Sequence, residues 1–156
     1  QQWVIAPAKK RNGGIALEYD VVALSVGGAS WKAILDGQPE ADVLGLLTHF
    51  AKLHGVQEAT IVSHNAVFDA SFLAQMVFRA GTWNYGKFQA YPEPLRGPWA
   101  CMRRMTSNLG LADQKLDTVA AHFGLSRESA YHGALEDAII AGQIYAHLCD
   151  RAGVTA

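Results

Sequence analysis

Cysteine is scarce in this sequence. Cys101 and Cys149 are its two cysteines, they form no CxxC pair, and they exclude a disulfide framework. A reducing cytoplasm is therefore the default location. Six histidines without clustered cysteine argue against a structural zinc site. No apolar run approaches the roughly 18 residues that a membrane span needs, so no membrane is expected as a partner. An excess of either charge is missing too. Thirteen Lys and Arg against 14 Asp and Glu leave a formal net charge of −1, which removes any case for broad electrostatic coating of duplex nucleic acid. It does not exclude an enzyme that grips a few nucleotides through metal ions. Half the residues are hydrophobic and 17% are charged, a balance that favours a packed globular chain over a disordered one. The length of 156 residues fits one domain, spanning 1–156. The opening Gln1-Gln2-Trp3-Val4-Ile5-Ala6-Pro7 has no initiator Met and no signal-peptide pattern, and reads as the interior of something longer.

Hydrophobic periodicity places the elements. Trp3 to Ala6 reads as a short strand, and Lys9 to Gly14 as a basic, glycine-bearing loop. Tyr19 to Val26 is a short helix or, given its β-branched content, a strand. Pro39 marks a helix start, with Val43, Leu44, Leu47, Phe50 and Leu53 recurring before Gly55. Ala59 to Ser63 is a compact buried strand, and Asp69 to Ala80 a helix with Phe72, Leu73, Met76 and Val77. Residues 82–98 read as a long loop and Trp99 to Met102 as another strand. Leu116 to Phe123 is a helix stopped by Gly124. The last helix runs from Gly133 to Arg151, with Leu135, Ala138, Ile139, Gly142 and Ala146 on one face. Strands alternating with helices indicate an α/β fold.

Two segments carry residue types suited to chemistry. His64-Asn65-Ala66-Val67-Phe68-Asp69 lies where a strand turns into a helix, and the C-terminal edge of a strand is where α/β folds collect functional groups. Taken alone, Asp69 is also a good helix N-cap. His132-Gly133-Ala134-Leu135-Glu136-Asp137-Ala138 opens the last helix. Inside one helix, five positions would separate His132 from Asp137 by about 140°. A joint role needs His132 in the preceding loop.

Taken together, the two segments resemble the second and third motifs of the DEDDh-type 3′→5′ exonucleases: His-Asn-Ala-x-Phe-Asp after a strand, then His-x-Ala-Leu-x-Asp-Ala opening a helix. The run into Ser71-Phe72-Leu73 is similar to ribonuclease T and its proofreading relatives, and Lys115 to Leu125 is similar to the family's intervening helix. Gly133, four before Asp137, stands where a tyrosine-type relative would carry Tyr. The resemblance implies a ribonuclease H-like fold, a mixed sheet with flanking helices. It implies hydrolysis of phosphodiester bonds at the 3′ ends of single-stranded DNA or RNA, releasing nucleoside monophosphates. Two divalent ions, Mg²⁺ or Mn²⁺, about 4 Å apart stabilise the attacked and leaving oxygens in such chemistry. Being hard ions, they take carboxylate oxygen, and the resemblance assigns Asp69 and Asp137 to them. It assigns His132 as general base, which suits histidine near neutral pH. His64, Asn65 and Phe68 are the expected substrate contacts. Relatives that resemble ribonuclease T are often homodimers, which makes a second copy a candidate partner.

The family's first motif, an Asp-x-Glu on the opening strand, has no counterpart near the N-terminus. Glu18-Tyr19-Asp20 has the reverse order. Trp3-Val4-Ile5-Ala6-Pro7 instead resembles the family's third strand, so the first strands are expected to be missing, with Glu18 and Asp20 ordinary surface residues. Trp83, Tyr85, Phe88, Tyr91 and Trp99, mixed with Lys87 and Arg96, suit either stacking on unpaired bases or loop and dimer packing. Lys9-Lys10-Arg11 and Arg103-Arg104 read as solvated faces. Beside the exonuclease reading stand two others: an inactive nucleic-acid-binding or scaffolding relative, and a different α/β domain in which Asp69 only caps its helix.

Overall fold

The computed structural model describes residues 30–55, 59–79, 97–128 and 133–154. Expectations for the strand at Trp3, the segment from Tyr19, the loop 82–96 and His132 lie outside the described residues. The described elements are α1 (Trp31–Leu35), α2 (Glu40–Leu53), β1 (Ile61–Ser63), α3 (Ala66–Arg79), β2 (Trp99–Cys101), α4 (Met102–Met105), α5 (Leu116–His122) and α6 (Ala134–Ala152). They fall into two compact units, divided at 57/58, 72/73 and 96/97, with α3 continuous through the second division. No helix among the described residues is long and apolar enough to cross a membrane.

In the unit that holds α1, α2 and the end of α3, the Ser30 hydroxyl accepts the Ala33 amide and so caps α1. Helix α2 begins after Pro39 (φ −55°), which fits a helix start because its ring fixes φ and it has no amide proton to leave unpaired. Its buried stripe is Val43, Leu44 and Ala51, with Leu47 half-buried. Leu44 packs with Met76 and Val77 of α3, flanked by Leu47 and Leu73. Leu53, expected on this stripe, is 70% exposed. Nine residues beyond Leu44 is about half a turn out of phase at 100° per residue, so it points away. The Arg79 guanidinium donates to both oxygens of Glu40 (2.8 and 2.6 Å), tying the end of α3 to the first turn of α2.

The other unit is a small α/β assembly. β1 and β2 run parallel, with Ile61 opposite Trp99, Val62 opposite Ala100 and Ser63 opposite Cys101. Both strands are shorter than their sequence suggests. Pro98 accepts from the Ile61 amide (2.8 Å) but has no N–H to return, so pairing stops there and Ala59 and Thr60 stay outside it. At the other end Met102 leaves the strand and opens α4. Helices α5 and α6 cover the pair. Their core joins Ala100 and Met102 to Leu116, Val119, Ala120, Ile140, Ala141 and Ile144, with Val62 packed against it. The buried stripe of α6 is therefore Ile140, Ala141, Ile144 and Cys149, whereas Leu135 and Ile139 from the expected face are 44% and 53% exposed. Both stripes have helical spacing, and the larger aliphatics of the first bury more apolar area.

Gly124 stops α5 as expected. Its φ of +73° is left-handed, the Gly124 amide donates to Ala121 and the Leu125 amide to Ala120, closing a Schellman turn. Gly153 ends α6 in the same way, with φ +66°.

Candidate active site

Parallel strands end on the same side, so the residues after Ser63 and after Cys101 emerge together. The Arg103 amide donates to the His64 carbonyl (3.0 Å), which locks the two strand exits side by side. The Asn65 carbonyl accepts the amides of Phe68 and Asp69, and α3 begins. Asp69 is therefore inside the first turn of α3 and does not cap it. The Ser63 hydroxyl donates to its carboxylate, holding Asp69 at the last residue of β1.

A cleft of about 850 Å³ opens at this edge. Five expected site residues line it: His64, Asn65, Phe68 and Asp69 from the β1–α3 turn, and Asp137 from the first turn of α6. Helix α6 reaches the same place because Gly133 stands at its N-cap and accepts the Asp137 amide (3.0 Å). Asp69 and Asp137 belong to motifs far apart in sequence and line the same cavity.

His64 lines the same cleft, near enough for both carboxylates to act on its ring. Its Nε2 lies 2.9 Å from the main-chain oxygen of Gln114, and a carbonyl only accepts, so the proton is on Nε2. Nδ1 is buried without a hydrogen-bond partner among the described residues. Burial holds the imidazole pKa below its ordinary 6.5, outweighing the Gln114 hydrogen bond; Arg103 adds to the lowering, while Asp137 and Asp69 oppose it. His64 is thus a neutral, positioned ring. The Gln114 side chain also reaches the buried Thr106 hydroxyl (2.9 Å), so one residue ties the segment before α5 to both the core and the site.

The charges in the cleft pair unevenly. Arg127, with only 12% of its side chain exposed, donates Nε to Asp117 and Nη1 to Asp137. Burial works against its charge, yet the Asp137 and Asp117 carboxylates outweigh that and hold its pKa above the ordinary value. Lys115 pairs with Asp113 at 3.4 Å. Among the described residues Arg103 has no ion-pair partner, and Asp69 has the Ser63 hydroxyl but no cation. Arg103 therefore faces the cleft and is not merely part of a solvated surface.

The sequence motifs did not reveal Arg127, Asp117 or Gln114. Arg127 is ten residues from each of its carboxylates, a separation that no helical or strand period marks. Phe68, which lines the cleft, and Phe72 form a ring pair with centroids 4.6 Å apart, and they are 56% and 55% exposed.

The residues fit a hard divalent ion in part. Asp69 and Asp137 offer carboxylate oxygens from two elements to one cavity, and Asp137 already holds a cation in the form of Arg127. No three His, Cys, Asp or Glu side chains converge among the described residues, so these two supply only part of a ligand set. Compared with known proteins, the chain matches no family model and no curated sequence.

Proposed function

We propose that this chain forms part of a metal-dependent 3′→5′ exonuclease of the DEDDh type, with a ribonuclease H-like sheet, acting on single-stranded DNA or RNA 3′ ends. The observation that supports this reading is the shared cleft: Asp69 and Asp137, one from each motif, line it together at the C-terminal edge of β1. Asp69 and Asp137 would hold the ions. When bound, these would polarise the scissile phosphate and lower the pKa of an attacking water.

The chain's own residues have distinct tasks in this reading. The Ser63 hydroxyl keeps the Asp69 carboxylate turned toward the cleft. Phe68 and Phe72 present an apolar ring surface on which the terminal base can stack. Arg103, lacking a carboxylate partner among the described residues, is suited to a phosphate oxygen. His132, by motif position, takes the water proton. His64 stays neutral at physiological pH and adds no charge to a site that must accept both phosphate and metal.

A second reading is favoured by the Arg127–Asp137 ion pair, which already neutralises one of the two carboxylates. In it the chain binds single-stranded nucleic acid without cutting. Incubation of a 5′-labelled single strand with Mg²⁺ and a version of the protein that carries the Asp-x-Glu strand separates the two. Shortening from the 3′ end that is lost in Asp69→Asn and Asp137→Asn supports hydrolysis. Retarded but uncut strands support binding alone.

A further inference from the structure

Arg127 has no part in the proposed chemistry, yet it is the most enclosed cation of the cleft. It leaves the turn after α5 and bridges Asp117 on α5 to Asp137 on α6, giving a separate nitrogen to each. Asp137 is 36% exposed and Asp117 56%, so the guanidinium is covered while its two carboxylates remain open to the cleft. The buried cation thus sits directly on a carboxylate that, in the reading proposed above, must hold a divalent ion.

We propose that Arg127 is a built-in competitor of the metal: guanidinium and divalent ion exclude one another at Asp137, and metal binding requires Arg127 to let go of that carboxylate while it stays held by Asp117. The inference rests on the reading above and adds a regulatory property to it. A guanidinium and a divalent cation a few ångströms apart repel one another strongly even under water-like screening. One oxygen of Asp137 is moreover already committed to Nη1. Asp117 gives the displaced arginine somewhere to remain, since its Nε bond is independent of the one to be broken. Asp137 then has a cation beside it in either state, the arginine when the ion is absent and the ion when the arginine is drawn aside to Asp117.

Metal affinity measured by calorimetry on the full chain, with Mn²⁺ alone and no nucleic acid, tests this. Arg127→Gln removes the positive charge but keeps a hydrogen-bonding head, and should tighten Mn²⁺ binding about tenfold. Arg127→Lys keeps the charge and should stay near the unsubstituted affinity. A purely structural arginine would instead give weaker binding in both variants. Since Arg127→Gln could unfold the chain, a second measurement uses the unsubstituted protein: the Arg127 Nη resonances in a nitrogen–proton spectrum should shift on adding Mg²⁺ while Nε–H stays protected. Unchanged Nη resonances at saturating Mg²⁺ overturn the competition. Mn²⁺ binding that Asp137→Asn weakens but Arg127→Gln does not tighten overturns it as well, and leaves the proposed function standing. If Mn²⁺ binds no form of the chain, or binds in a way that Asp137→Asn leaves unaltered, both fall together.

Discussion

His64 and Gln114, fifty residues apart in the chain, are joined by a 2.9 Å hydrogen bond from the imidazole Nε2 to a main-chain oxygen. That bond fixes which ring nitrogen carries the proton, and burial makes a second proton costly. The folded-state pKa therefore lies below the ordinary 6.5, and the unfolded chain binds the proton first as pH falls. The stability that follows from a neutral His64 is fully present above about pH 6.5 and is lost as the pH drops through the folded value. Urea midpoints between pH 7.5 and 5 should decline, and His64→Gln, which cannot titrate, should flatten that decline. An unaltered slope in the variant would assign the acid sensitivity to other groups.

In a version that carries the expected Asp-x-Glu strand, Asp69→Asn and Asp137→Asn should each abolish Mg²⁺-dependent release of nucleoside monophosphates, as should chelation of the metal, because an amide replaces a carboxylate that holds it; residues 1–156 alone should show negligible release. His132→Ala should leave metal affinity nearly intact and slow hydrolysis about 10²–10⁴-fold. The unsubstituted rate should decline as pH falls through roughly 6–7. Near-normal turnover in His132→Ala across that range would remove it as the base.

Phe68 and Phe72 are more than half exposed, so replacing either by Ala should change stability little. Their effect should appear in binding. Loss of a stacking surface should weaken affinity for a short single strand by about 1–3 kcal/mol per base. Fluorescence anisotropy with a labelled oligonucleotide reads this directly, and equal affinities for Phe68→Ala and the unsubstituted chain would place the base elsewhere.

Ile144 is fully buried where α6 meets α5 and β2. Ile144→Ala should cost about 2–5 kcal/mol of unfolding free energy, the usual range for a large aliphatic removed from a packed core. Ile139→Ala, on the neighbouring and exposed face of the same helix, should cost far less. Chemical denaturation of the two variants compares the stripes directly, and similar losses would contradict the packing described.

The parts of the fold that were legible are those set by local signals. Gly124 announced the end of α5 because a left-handed turn needs a residue without Cβ. The apolar run before His64 announced β1, and the two motifs contain His64, Asn65, Phe68, Asp69 and Asp137, which line the cleft. Legibility failed where tertiary context chose between equal local options. Asp69 is a good cap by type, but Ala66-Val67-Phe68 joins the helix ahead of it, so the carboxylate turns to Ser63 instead. Met102 is apolar enough to extend β2, yet it opens α4 and is wholly buried in the core. In α6 two faces had helical spacing, and only packing against α5 and β2 decided which was buried. Gln114 and Arg127 were invisible because long-range polar contacts have no period to read.

Gly124 also decides an electrostatic matter. Had α5 run on without it, Arg127 would stand about 15 Å along the axis from Asp117, at 1.5 Å per residue, beyond the reach of a guanidinium. The reversal at Phe123–Leu125 instead folds the chain back, so Arg127 can touch Asp117 and Asp137 at once. The placement of a charge inside the cleft thus depends on a position with no side chain, and a substitution there would act at a distance, by setting that arginine adrift from both carboxylates.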